Sequence, residues 1–271
     1  MAKLYLVGTP IGNLGDISLR AIDTLKSVDA IACEDTRHSL GLLNYYEISK
    51  PLFSCHKFNE KESVDKIASF LNSGKSVALI TDAGMPCISD PGAVVVQGLQ
   101  EKGCEIEVVP GPTAVTSAMA LSGIVRPIWT FVGFLPAKNK EKQALLADLA
   151  KYNSALVFYA SPYDINKDLD SMYKAFGDRV VHVVKEITKM HESHSVGVLG
   201  EMTIDNPKGE YVVIVEHPPV VEQSAPSGSI EEQLQAKLDE GMDKKSAIKQ
   251  VAKDNKMTKD EVYKVALEMG L

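Results

Sequence analysis

Three stretches of the chain gather more glycine and proline than simple turns require. They read Gly8-Thr9-Pro10-Ile11-Gly12-Asn13-Leu14-Gly15-Asp16, Asp82-Ala83-Gly84-Met85-Pro86-Cys87-Ile88-Ser89-Asp90-Pro91-Gly92 and Pro110-Gly111-Pro112-Thr113-Ala114. Such backbone is rigid and can approach a ligand closely, so its amides and carbonyls can bind where side chains would not reach. Gly111 supplies backbone freedom, and Pro112 opens a helix where its missing N–H costs nothing. Asp82 and Asp90 flank the second stretch, able to cap helices, accept from hydroxyls or attract a cation. The spacing is neither G-x-G-x-x-G nor G-x-x-x-x-G-K-[ST], so neither a dinucleotide nor a nucleoside triphosphate is indicated. The first stretch alone suits a structural turn as well as a ligand loop; three converging ones predict a pocket. Metal ligation has no sequence support. Cys33, Cys55, Cys87 and Cys104 stand singly, and His182, His194 and His217 share no metal-ligand spacing.

Those loops need strands to carry them. Leu4 to Gly8, Ala30 to Cys33, Leu52 to Cys55, Val77 to Thr81 and Ile106 to Val109 are short, apolar and bounded by turn residues, as buried strands are. Amphipathic helical spacing lies between them, as in Leu19-x-x-Ile22-x-x-Leu25-x-x-Val28 and Val64-x-x-Ile67-x-x-Phe70-Leu71. That alternation implies βαβ units and a mainly parallel sheet, with ligands bound off the carboxyl ends of its strands. A second α/β domain with a mixed sheet follows, its strands at Trp129 to Leu135, Ala155 to Tyr159, Val180 to Val184, Ser195 to Leu199 and Tyr211 to Val215. Two helices intervene, at Lys140 to Ala150 and Asp164 to Phe176. Trp129 and Phe131 are assigned to its core. Lys138, Lys140 and Lys142 suit either phosphate contact or a solvated helix start.

The expected domains are 1–125, 126–217, a Pro- and Ser-rich linker at 218–229, and a helical extension at 230–271. In that extension Ser229 caps a first helix that Gly241 breaks, a second runs from about Asp243 to Asn255, and Thr258-x-x-Glu261 is a capping box opening a third. The arrangement is helix-turn-helix-like. Its eight lysines against nine acids do not make a basic arm, so a helical cap on the body or a partner, and an RNA contact, both remain open.

Composition sets the outer bounds. The 271 residues are 45% hydrophobic and 24% charged, ordinary for a globular protein and enough for two domains. A formal charge of −7 argues against binding nucleic acid by bulk electrostatics, which is driven by cationic contacts to phosphates. The isolated cysteines predict reduced thiols and a cytoplasmic location. No apolar signal segment or run of about 18 apolar residues is present, so no membrane association is expected.

Six motifs, taken in order, carry a family likeness. The three loops above are joined by Cys33-Glu34-Asp35-Thr36-Arg37, Phe158-Tyr159-Ala160-Ser161-Pro162 and Lys185-Glu186-Ile187-Thr188-Lys189-Met190-His191-Glu192. The set resembles the tetrapyrrole methylase superfamily, in particular its ribosomal RNA small-subunit methyltransferase I branch. It covers residues 3 to about 217, and the C-terminal segment is similar to the helical extension of some members. The first loop, Gly-Thr-Pro-Ile-Gly-Asn, differs from the Gly-x-Gly-Pro-Gly-Asp of branches that methylate small molecules such as precorrins or a protein side chain, as in diphthamide synthesis. A third alternative is a non-catalytic protein that binds S-adenosylmethionine (SAM) or RNA.

The resemblance implies two α/β domains with SAM in the cleft between them, a homodimer, and no metal. It also implies methyl transfer to the 2′-hydroxyl of a cytidine in 16S rRNA, at the decoding centre. The acidic charge of the chain adds that the acceptor is an assembled or nearly assembled small ribosomal subunit. On this sequence the family's cofactor loops fall on Pro10, on Ala83, Gly84, Met85 and Ile88, on Thr113 and Ala114, near Ala160, and on Gly209, Glu210 and Tyr211. Ala160 stands where the branch usually has a glutamate, and Ala137 where it has a basic residue.

A ribose hydroxyl is a poor nucleophile at neutral pH, so a positioned base or a cation beside the developing alkoxide should help. Candidates are Glu34, Asp35, Arg37, Glu186, Lys189 and His191. Asp35 and Arg37 either form an ion pair beside the pocket or fix their own loop. Glu186, Lys189, His191 and Glu192 line the second domain's side of the cleft or lie in a solvated loop. Lys189 is the residue expected to touch the reacting ribose or its phosphate. His56 is either local structure or part of the acceptor cleft.

Overall fold

The computed structural model describes residues 2–219, 228–255 and 257–271. Most of the linker expected at 218–229 therefore lies outside the described residues. Residues up to 218 form one compact unit and those from 219 another.

The first unit holds two five-stranded sheets. In the first, β1 (Leu4–Val7), β2 (Ala30–Cys33), β3 (Leu52–Ser54), β4 (Val77–Ile80) and β5 (Ile106–Val109) run parallel in the order β3-β2-β4-β1-β5. Every residue of β2 and β4 is buried, which explains their unbroken apolar runs: a parallel strand covered on both faces has no polar side to show. Helices α1 (Leu19–Ser27) and α2 (Thr36–Tyr45) cover one face through Leu25 and Leu43. The opposite face is covered by α3 (Glu60–Asn72) and α4 (Ala93–Glu101), through Ile67 and Leu99.

The second sheet is mixed, as expected. It contains β6 (Trp129–Phe134), β7 (Ala155–Ala160), β8 (Val180–Lys185), β9 (Ser193–Val198) and β10 (Tyr211–Val215), in the order β6-β7-β10-β8-β9 with only β6 and β7 parallel. One face packs on α6 (Asn139–Leu149) and α7 (Ile165–Phe176). The other packs on α5 (Ala114–Ser122), which follows β5 of the first sheet yet buries Val115 and Ala118 against Val157, Val212 and Ile214. This crossing helix ties the two sheets together. Trp129 departs from the core assignment: it begins an edge strand and is 37% exposed, while Phe131 packs inward.

Lys142 also departs from expectation. It turns inward from α6, and its Nζ lies 2.6 Å from Oδ1 of Asp168 on α7, both side chains nearly closed to solvent. Burial raises the Asp168 carboxyl above its usual range, with Lys142 opposing the shift. Lys138 instead makes an exposed pair with Glu141. Removing one partner of a buried pair strands the other, at a cost of about 3–5 kcal/mol. Lys142→Met is therefore expected to lose about that much in urea unfolding near pH 7, whereas Lys142→Met combined with Asp168→Leu recovers most of it. The deficit of the single variant should shrink as pH falls and Asp168 takes up a proton, because a carboxylate with a raised folded pKa destabilises only when charged. Equal stability of the two variants would overturn this account.

The second unit is a three-helix cluster of α8 (Ile230–Asp239), α9 (Lys244–Asp254) and α10 (Lys259–Glu268). Ser229 and Thr258 each close a capping box, with Glu232 and Glu261. Leu234, Ile248, Val251 and Val262 are buried in a core of its own.

Candidate active site

Since β4, β1 and β5 are parallel neighbours, the three Gly/Pro loops leave the sheet at the same edge. They then lock together. Thr9 and Gly84 exchange backbone hydrogen bonds of 2.9 and 3.1 Å. The hydroxyl of Thr9, fully buried, donates to the Thr81 carbonyl at 3.1 Å. Gly8 and Gly111 touch backbone to backbone: a Cβ built on Gly8 would lie 2.6 Å from Gly111 Cα, and one built on Gly111 would lie 2.8 Å from Gly8 Cα. Gly111 does not adopt a left-handed conformation. What it contributes is space, correcting the expectation of backbone freedom.

This edge and the second sheet enclose a cavity of about 350 Å³, within the range of small-molecule sites. Of the positions assigned to cofactor binding, Ala83, Gly84, Met85, Ile88, Thr113, Ala114, Ala160, Glu210 and Tyr211 line it. Pro10 and Gly209 do not. Pro10 is buried behind Ile11, which takes its place on the wall, and Gly209 lies against the Glu186 side chain.

Lys189 and Glu186 reach the same cavity from the turn between β8 and β9. Glu186 and Thr188 there have φ of +50° and +67°, a costly conformation for residues with side chains. The arrangement is held by a dense polar group. Lys189 Nζ donates at 2.9 Å to Glu186 Oε1 and at 2.9 Å to Glu210 Oε2, and the Glu210 amide donates at 2.9 Å to the same Glu186 oxygen. The aliphatic part of Lys189 crosses Gly12 of the first loop, and Thr188 donates to Asp16. Burial opposes the Lys189 charge, but its bonds to Glu186 and Glu210 prevail and raise its pKa. Burial likewise opposes the Glu186 charge, and the bonds from Lys189 and the Glu210 amide hold its carboxyl below the usual range.

Asp35 and Arg37 stay outside the cavity wall. Asp35 caps α2 by accepting from the Arg37 amide at 2.8 Å, and its carboxylate pairs with the 90% exposed Arg37 guanidinium at 3.1 Å. The geometry is that of a pair fixing its own loop. Neither Glu34, whose carboxyl is raised by burial and by Asp82, nor His191 lines the cavity. His56 hydrogen-bonds within its own turn through Asn59 and Phe58. His182 stacks on His194 and meets Glu216 at 2.8 Å. Among the described residues no group of three or more His, Cys, Asp or Glu is arranged to hold a metal ion.

Sequence reasoning missed part of the wall. Phe134 and Tyr159, with ring centroids 5.4 Å apart, build an aromatic corner at the ends of β6 and β7, and Phe131 backs Tyr159 from the core at 5.0 Å. Ser89, Asp90, Val184, Ile187 and Val212 also face the cavity. The available signal was topological: most of these residues lie at a strand end or in a loop that follows one.

Comparison with known proteins places the chain in a family and a fold. The family model of the tetrapyrrole (corrin/porphyrin) methylases matches residues 3–203. A protein from Bacillus subtilis (strain 168) named ribosomal RNA small subunit methyltransferase I is 41% identical over 97% of this chain and 93% of its own length. One of the same name from Thermotoga maritima is 43% identical over 79% of this chain and 98% of its own. Among solved structures, diphthine synthase superposes with a TM-score of 0.65 at 14% identity, covering 80% of this chain and 90% of that one. A cobalt precorrin-4 methyltransferase superposes at 0.58 with 22% identity, covering 79% and 94%. At these identities the two structures speak for the fold alone.

Proposed function

Starting from a chain that belongs to the tetrapyrrole (corrin/porphyrin) methylase family and to its ribosomal RNA small subunit methyltransferase I group, we propose that this methyltransferase carries a methyl group from SAM to the 2′-hydroxyl of a cytidine in 16S rRNA, at the decoding centre. The single observation that carries the reading is the locked edge. Three loops meet so closely that no side chain fits between Gly8 and Gly111, and residues 83–85 and 113–114 of those loops line a ligand-sized cavity. SAM has no phosphate, so it needs amides, carbonyls and a flat apolar surface, all of which this wall offers. When bound, it supplies an electrophilic methyl group on a sulfonium.

The chain's own residues do the remainder. The loops orient the donor, and Phe134 and Tyr159 offer a face for a planar base. Glu186 and Glu210 place negative charge where a cationic donor is held, while Lys189 puts a cation beside the acceptor. Holding the two reactants in line at about 3–3.5 Å supplies much of the acceleration. The acceptor is the assembled or nearly assembled small subunit, because an acidic chain gains little from bare RNA. The enzyme works in the cytoplasm as a homodimer. The extension at 230–271 is accessory, a view supported by the Thermotoga protein, which matches 79% of this chain over 98% of its own length.

Mapping ribose methylation in rRNA from cells lacking this protein tests the reading. One cytidine should lose its 2′-O-methyl group and regain it on complementation. An unchanged methylation map would refute it.

A further inference from the structure

Within the 81–92 loop, Cys87 and Ser89 hold φ of +73° and +63°. Side-chain-bearing residues persist in the left-handed region only where their surroundings over-determine them, and such strain gathers at functional sites. Here the surroundings are visible. The Cys87 amide donates to the Pro91 carbonyl at 3.2 Å, and Glu60 of α3 accepts from the amides of Gly92 and Val94 at 2.7 and 3.3 Å. Asp90 stands between these anchors and lines the cavity.

The position of Asp90 is unusual for a structural acid. Capping of α4 is already performed by Glu60. Among the described residues the Asp90 carboxylate accepts no hydrogen bond and pairs with no cation. The charged groups that face it are acids: Glu34 after β2, Asp82 at the start of its own loop, and Glu210 before β10. Cys87 and the Tyr159 phenol are the other titratable groups that meet it. Lys189, on the same cavity wall, is engaged by Glu186 and Glu210. Burial first, and these acids next, push the Asp90 carboxyl up to about 6. A carboxylate so placed gains from taking a proton and is still ionised at neutral pH.

We propose that Asp90 is the general base of the transfer, accepting the proton of the attacking hydroxyl inside the cavity. The assignment rests on the reading of this cavity as a site of methyl transfer to a ribose. The step balances. The hydroxyl proton passes to an Asp90 oxygen, the hydroxyl oxygen bonds to the methyl carbon, and the carbon–sulfur bond breaks with its electron pair kept by sulfur. The positive charge of the sulfonium and the negative charge of the carboxylate are discharged together, leaving a thioether and a neutral carboxyl. Asp90 then returns its proton to solvent as product leaves.

The test compares wild-type enzyme with Asp90→Asn, using SAM and assembled small subunits purified from cells lacking the protein, from roughly pH 5 to pH 9. Wild-type kcat should rise with pH through about 6 and then level. Asp90→Asn should lose roughly 10²- to 10⁴-fold in kcat together with that rise, with KM for SAM little changed. It should melt no lower than wild type at alkaline pH, since it removes an unpartnered, partly buried charge. A variant that transfers at the wild-type rate with the same pH profile overturns the proposal. So does one whose affinity for SAM falls while kcat stands, because Asp90 would then be a donor ligand. Absence of transfer by both enzymes overturns the proposal and the ribosomal RNA reading together.

Discussion

Gly111→Ala is expected to bind SAM roughly 5- to 150-fold more weakly than wild type, the equivalent of about 1–3 kcal/mol of overpacking. The methyl group would sit 2.8 Å from Gly8 C and Cα and 2.9 Å from Gly8 O. All three are backbone atoms of a residue whose own amide is tied to Val109 at 3.0 Å. No flexible side chain is available to yield, so one loop must retreat, and the next loop moves with it through the Thr9–Gly84 bridge. A misplacement of about 1 Å can cost 10²-fold in rate, so methyl transfer should fall at least as far as affinity. Gly41→Ala provides the contrast. That glycine is exposed on α2, an added Cβ there meets nothing within 4 Å, and the change should be neutral or stabilising by about 0.5–1 kcal/mol. Calorimetric titration with SAM separates the two. If Gly111→Ala binds as wild type does, the locked edge is not what forms the site.

The same pair of residues shows what the sequence made legible. Gly8 and Gly111 stood out by composition, and the parallel run of the strands that carry their loops was implied by short apolar strands alternating with helices. The neighbour order of β4, β1 and β5 was not. The reason for Gly111 was not legible, because a close approach between loops about a hundred residues apart has no local signature. At α4 local propensity and the fold part company. Its run Val94-Val95-Val96 has strand propensity, yet Glu60 and the sharp turn at Gly92 start a helix there, and burial of Val95 and Leu99 outweighs propensity. Asp82 and Asp90 looked equivalent on paper. Only the fold shows that Asp82 accepts from the Asp35 amide at 3.3 Å while Asp90 is left facing the cavity. Lys142, like Lys138 and Lys140, suited either a phosphate contact or a solvated helix start until α7 brought Asp168 beneath it. Asp35-x-Arg37 reads equally as an ion pair beside the pocket or a pair fixing its own loop, and only the fold shows that Asp35 caps α2 while it pairs with Arg37 away from the cavity lining. Strand, helix and loop follow from local pattern, whereas the partner of a charged side chain depends on which elements become neighbours.

Lys189→Ala should separate binding from chemistry more cleanly than any other single change at the site. The lysine carries one positive charge between two carboxylates, so the group with Glu186 and Glu210 is net negative, and removing Lys189 makes it more so. A cationic donor should then bind no more weakly than before. The acceptor side fares differently. Loss of a preorganised cation beside developing negative charge costs about 10²–10³ in kcat, as with removal of an oxyanion donor. The freed Glu186 and Glu210 carboxylates would also repel the phosphates flanking the target ribose. Expected, therefore, are a kcat lower by about 10²–10³, a raised KM for small subunits, and an unchanged or tighter Kd for SAM. Because its bonds to the two acids raise the Lys189 pKa, the cation persists well above neutral pH, and wild-type activity should show no alkaline decline from this residue. Lys189→Arg keeps the charge but needs more room over Gly12, against which the lysine stem already lies, so it should recover only part of the rate. Single-turnover transfer with saturating SAM, set beside calorimetry of the same variants, measures both sides. Weaker SAM binding with an intact single-turnover rate would place Lys189 on the donor and leave the acceptor hydroxyl without its proposed cation.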